Sequence, residues 1–91
     1  MTIQPTLTFR EFITRVERLG FARVRQKGSH IRLMHNDGRK TTIPDHGGRD
    51  VPKGLMSKII RHDLEMSMDA FFNASEEIYS YAGAIGEFSE H

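Results

Sequence analysis

One histidine in this chain is better explained by chemistry than by packing. The stretch RQKGSHIRLMH, Arg25 to His35, alternates like a half-buried strand, yet it opens on Lys27-Gly28-Ser29-His30. Glycine weakens a strand, and an outward histidine adds nothing to a core. Histidine does suit acid–base work near neutral pH. Arg25, Lys27 and Arg32 surround it in sequence. Cleaving RNA without a metal needs a base to take the 2′-hydroxyl proton, cations to stabilise the phosphorane and an acid to protonate the leaving 5′-oxygen. His30 and its cations could meet the first two needs. Gly28 would let backbone approach a phosphate, and Ser29 could donate to a phosphate oxygen.

The other histidines fit this chemistry less well. His30 and His35 lie five apart on a strand, so they project to opposite faces and cannot chelate together. No helical pair of histidines at a spacing of four exists, and there is no cysteine, so neither a metal nor another cofactor is expected. His35 and His62 read as surface or helix-end residues. His46, in PDHGG, could be the missing acid if its loop folds back over the sheet, or a loop histidine that orders its own turn.

Three strands and two helices must position these residues. TLTFREFITRVERLGF places Phe9, Phe12, Ile13, Val16 and Leu19 on one helical face. Thr8 with Glu11 forms a capping-box pattern, Leu7 with Phe12 a hydrophobic staple, and Gly20 a stop. FARVRQ, SHIRLMH and RKTTIP alternate as strands, joined by KGS and by the hairpin turn in HNDGRK. A second helix begins near Val51 or Pro52, with Leu55, Met56, Ile59 and Ile60 as its stripe. SMDAFF forms a short third helix capped by Ser67. The predicted class is α+β in the order α-β-β-β-α, two helices on one face of a three-stranded antiparallel sheet, with a short helical and acidic C-terminal extension. Inward positions are Val24, Ile31, Leu33 and Ile43. The open face then collects Arg23, Arg25, His30, Arg32 and Lys40, with Lys27 at the adjoining turn, together with Met34 and Thr42.

Composition agrees with a single soluble domain: 91 residues, 37% hydrophobic and 27% charged. No signal peptide or membrane span is evident, which predicts a cytoplasmic protein. The net charge of +1 conceals a division. All thirteen Lys and Arg lie between Arg10 and Arg61 with only five acids, giving +8, whereas His62 to His91 has seven acids and neither Lys nor Arg, giving −7. A basic body of this kind marks a polyanion partner. The predicted organisation is a folded domain over 1–72 and an acidic tail over 73–91.

The segment GFARVRQKGSHIRLMHNDGRKTTIPDHGG, followed by VPKGLMSKIIRH, resembles the HicA family, small ribonuclease toxins of bacterial toxin–antitoxin pairs. The likeness covers roughly Phe9 to Phe72. It rests on Gly20-Phe21, Gly28-Ser29-His30, Pro44-x-His46-Gly47 and Gly54 at this spacing. It implies a fold like the double-stranded-RNA-binding domain, metal-free mRNA cleavage with His30 as the catalytic residue, and a HicB antitoxin covering the active face. Nothing in the resemblance extends to the acidic tail. The alternative reading is a non-catalytic double-stranded-RNA-binding module, which would need the cations but not the histidine.

Overall fold

Thr8 starts the first helix, as its sequence context predicts. A computed structural model describes residues 5–74 of the chain, and α1 spans Phe9–Arg18. The Glu11 N–H donates to Thr8 Oγ1 at 3.1 Å while the Thr8 N–H donates to Glu11 Oε1 at 2.9 Å. This reciprocal pair satisfies donors that a helix start otherwise leaves over, and such caps contribute ~1 kcal/mol. Phe9, Phe12, Ile13 and Val16 are buried along one stripe.

The sheet is antiparallel in the order β1-β2-β3, with β1 at Ala22–Lys27, β2 at His30–Met34 and β3 at Lys40–Pro44. Ile31, Leu33, Thr41 and Ile43 face the helices and are buried, while His30, Arg32, Met34, Lys40 and Thr42 are exposed. The sheet therefore has one covered face and one open face, as the alternation predicts.

β1 departs from the predicted pattern. Val24 is 53% exposed rather than buried, and Arg23 pairs with Leu33 on the helix side rather than standing on the open face. The cause is a bulge between Arg23 and Arg25. Phe21 belongs to the core, yet Lys27 must face outward opposite His30. They lie six positions apart, an even number, so a regular strand would put both on one face. One extra residue in the strand resolves the conflict and re-aims everything before it.

α2 spans Lys53–Lys58, with Pro52 at the capping position just before the first turn rather than inside it. The helix then widens into a π-helical turn at Ile59–Asp63. Asp63 Oδ2 accepts a hydrogen bond from the hydroxyl of buried Thr41 at 2.8 Å, tying this turn to β3. Met56, Ile59, Ile60 and Leu64 are buried, and Leu55 is half-buried. Ser67 caps a further helical stretch over 68–74, accepting from the Ala70 N–H at 3.0 Å. That stretch adds Phe71 to the core, with its ring 5.5 Å from that of Phe12. The architecture is the predicted α+β order, with a three-stranded antiparallel sheet. Of the predicted 73–91 tail, residues from 75 onward lie outside the described residues. No helix among the described residues is long and apolar enough to cross a membrane.

Candidate nucleic-acid interface

A backbone requirement explains Gly28. β1 and β2 are joined by two residues, Gly28-Ser29, and Gly28 has φ +60° while Ser29 does not share the positive φ. Glycine first, at positive φ, is the signature of the II′ hairpin turn, whose twist suits the flanking strands. The space around Gly28 is open, with nothing within 4 Å of where a Cβ would stand. Its backbone is thus also accessible to a ligand.

So short a turn fixes the register, and the register builds the site. Lys27 stands opposite His30, which in turn stands opposite Pro44. In the next row Arg25 faces Arg32, which faces Thr42. Beyond them Met34 faces Lys40. Directly opposed side chains have Cβ atoms about 5 Å apart. His30 therefore lies within reach of the Lys27 ammonium, with two guanidinium groups in the adjoining row.

None of these cations is neutralised on the sheet. Arg25, Lys27, Arg32 and Lys40 have no ion-pair partner among the described residues. Like charges placed directly opposite one another destabilise a sheet. Arg25 and Arg32 are so placed, and an anionic ligand would relieve them.

Arg23 does not join this group. Its Nε donates to Glu17 Oε2 on α1 at 2.8 Å, and this hydrogen bond raises the guanidinium's pKa above its ordinary value. The bulge that turns Arg23 toward the helices leaves Arg25, Lys27, Arg32 and Lys40 as the cationic set.

The PDHGG loop is fastened to the same end of the sheet. The Asp45 N–H donates to the Ser29 carbonyl at 2.7 Å, and the Gly47 N–H donates to Asp45 Oδ1 at 2.8 Å. At its far side the loop receives the start of α1, with the Arg10 N–H donating to the Gly47 carbonyl at 3.1 Å. Asp45, rather than His46, closes the turn. The His46 ring packs edge-on against Phe9, with centroids 4.9 Å apart, and makes no hydrogen bond or ring contact with His30.

At the opposite end of the hairpin, His35 is structural. Its ring lies 5.1 Å from that of Phe21, and its Nδ1 accepts from the Asp37 N–H. A Cβ on Gly20, which has φ +105°, would lie 2.9 Å from His35 Nε2. Arg39, unnoticed in the sequence, completes this clamp. Its Nη1 donates to the Leu64 carbonyl at 2.6 Å, and its guanidinium sits 5.2 Å from the Phe21 ring centroid. Hydrogen bonding from the Arg39 N–H, then its side chain and charge, hold the Asp37 carboxyl below the usual carboxylate range. The Gly20-Phe21 motif is thus a packing requirement of the hairpin.

A family model described as the HicA toxin of bacterial toxin–antitoxin matches residues 9–63. The chain belongs to the HicA toxin family. The matched span runs from the first residue of α1 to the last of the π-helical turn, so it holds the whole sheet and His30. No curated protein compared with the chain matches it. As a HicA-family member, the chain is the toxin of a toxin–antitoxin system, and its family implies a HicB partner and an RNA substrate.

Proposed function

We propose that this HicA-family chain is a metal-independent endoribonuclease that cleaves mRNA on the open face of its sheet, with His30 as general base. The observation that carries the reading is the uncompensated row structure: His30 beside Lys27, and Arg25 opposed to Arg32, with no ion-pair partner among the described residues. Such a face suits phosphate and holds a titratable base in its midst.

His30 takes the proton from a 2′-hydroxyl, and the oxygen attacks the adjacent phosphorus. Lys27, Arg25 and Arg32 stabilise the charge that builds on the phosphorane oxygens. Gly28 and Ser29 border the same phosphate. The bond to the 5′-oxygen breaks, leaving a 2′,3′-cyclic phosphate and a 5′-hydroxyl. An acid must protonate that leaving oxygen, and His46, whose loop is held to Ser29 through Asp45, is the candidate for it. Its contact with Phe9 also gives it a part in ordering the loop.

The test is analysis of RNA ends after incubation with the purified chain. Cyclic phosphate and 5′-hydroxyl termini, formed at equal rates with and without EDTA, are expected. Chelator inhibition reversed by added metal, or 5′-phosphate ends, would overturn the mechanism.

A further inference from the structure

β1 carries a surface that phosphate chemistry leaves unused. It is an outer strand of the sheet, and no strand among the described residues pairs with its far edge. All six of its residues are exposed. An uncovered edge carries unpaired N–H and C=O groups, and the cations and bulge of this one oppose pairing with a like strand rather than with an acidic one. Val24 within it, at 53%, and Met34 beside it, at 38%, are the exposed large hydrophobic residues among those described. The bulge delivers Val24, and Met34 lies opposite Ala22 at the start of the strand. Met34 lies four positions from His30 along β2, about 13 Å of extended chain. Exposed apolar side chains can anchor a protein partner, whereas a phosphate backbone gains nothing from them.

Charge selects the occupant. Arg25 and Lys27 lie along this strand with no ion-pair partner among the described residues, so edge-to-edge pairing of two copies would bring cation against cation. An acidic extended segment with an apolar side chain would match the edge in hydrogen bonding, charge and polarity. Resting on the reading of the chain as a toxin with a protein inhibitor, we propose that the outer edge of β1, with Val24 and Met34, docks an acidic strand of the antitoxin. The antitoxin then extends the sheet by a fourth strand and excludes RNA from the border of the cationic face. It need not touch His30 to do so.

The experiment uses the HicB-type antitoxin encoded with this toxin and the full-length chain. Antitoxin is titrated against a His30→Ala chain, and against the same chain carrying Val24→Lys and Met34→Lys, which preserve the cationic character of the surface. At least tenfold weaker antitoxin binding by the triple variant is expected. With His30 present, the chain with both lysine substitutions should still cleave RNA but no longer be suppressed by antitoxin. Amide exchange over 22–27 should slow when the parent complex forms. Parental affinity in the triple variant, or unaltered exchange over 22–27, would overturn the proposal. Protection of 22–27 in the free chain that disappears on truncation after Ala74 would assign the edge to the chain's own tail, and would overturn it too. If the chain with His30 intact binds antitoxin as expected but cleaves no RNA, the docking proposal stands and the nuclease reading fails.

Discussion

His30 adds nothing to the packing of β2: it is exposed, while Ile31 and Leu33 on either side of Arg32 are fully buried. What it gains from its position is the Lys27 ammonium opposite and two guanidinium groups one row away. Placing Arg25 against Arg32 costs the free protein stability, so residue-scale tests should show opposite effects on fold and function. Arg32→Ala is expected to stabilise the free chain slightly, by up to ~1 kcal/mol in thermal or denaturant unfolding. The same change should weaken RNA binding and lower the slope of affinity against salt by about one contact. Arg23→Ala should leave that slope unchanged, because Arg23 is bound to Glu17 on the helix side. A reduced slope in Arg23→Ala would contradict the register. The basic character of the face was legible in the sequence, since β2 and β3 alternate without interruption. Arg23 was not, because its orientation depends on a bulge.

At the scale of elements, the bulge could in principle have been inferred. Phe21 and Lys27 share parity along the chain, and Phe21 is wanted inside while a two-residue turn holds Lys27 opposite His30. Alternation read from Val24 alone hides that conflict, since valine also suits an interior position. The capping box of α1, the Asn-Asp-Gly hairpin and the Ser67 cap were legible because each depends on a few adjacent residues. The π-helical turn was not: its last residue, Asp63, is bonded to Thr41 in β3, a tertiary contact that no local pattern carries. The hairpin clamp gives two tests. Gly20→Ala combines a positive φ with a Cβ 2.9 Å from His35 Nε2, and should destabilise the fold by about 1–3 kcal/mol in denaturant unfolding. A neutral result would mean that His35 can move aside freely. Asp37 gives a pH signature. Its folded-state pKa is depressed, so its contribution is complete above the usual carboxylate range and disappears as pH falls through the lowered value. Asp37→Asn should therefore lower the Tm at neutral pH, with the gap to the parent closing in acid. A gap that persists or widens in acid would contradict the sign.

Across the whole molecule, charge is divided between a basic span and an acidic one: +8 for residues 10–61 and −7 for residues 62–91. Four of those acids, Glu76, Glu77, Glu87 and Glu90, lie beyond residue 74. A short tethered segment has an effective concentration in the millimolar range, and screening at physiological salt acts over about 8 Å. If the tail competes with RNA, truncation after Ala74 should tighten RNA binding at low salt, and the difference should shrink as salt is added. Equal binding at both ionic strengths would leave the tail no electrostatic role on this face. The central claim is that the chain cleaves RNA and does not merely hold it, and His30→Ala tests that most directly. An exposed side chain can be removed with little effect on stability, usually within about 0.5 kcal/mol. The variant should keep the parent's fold and bind RNA on the remaining cations. Its single-turnover cleavage rate should fall by about 10²–10⁴-fold, the usual contribution of a general base. A folded His30→Ala protein that binds and cleaves RNA at the parental rate would contradict the account.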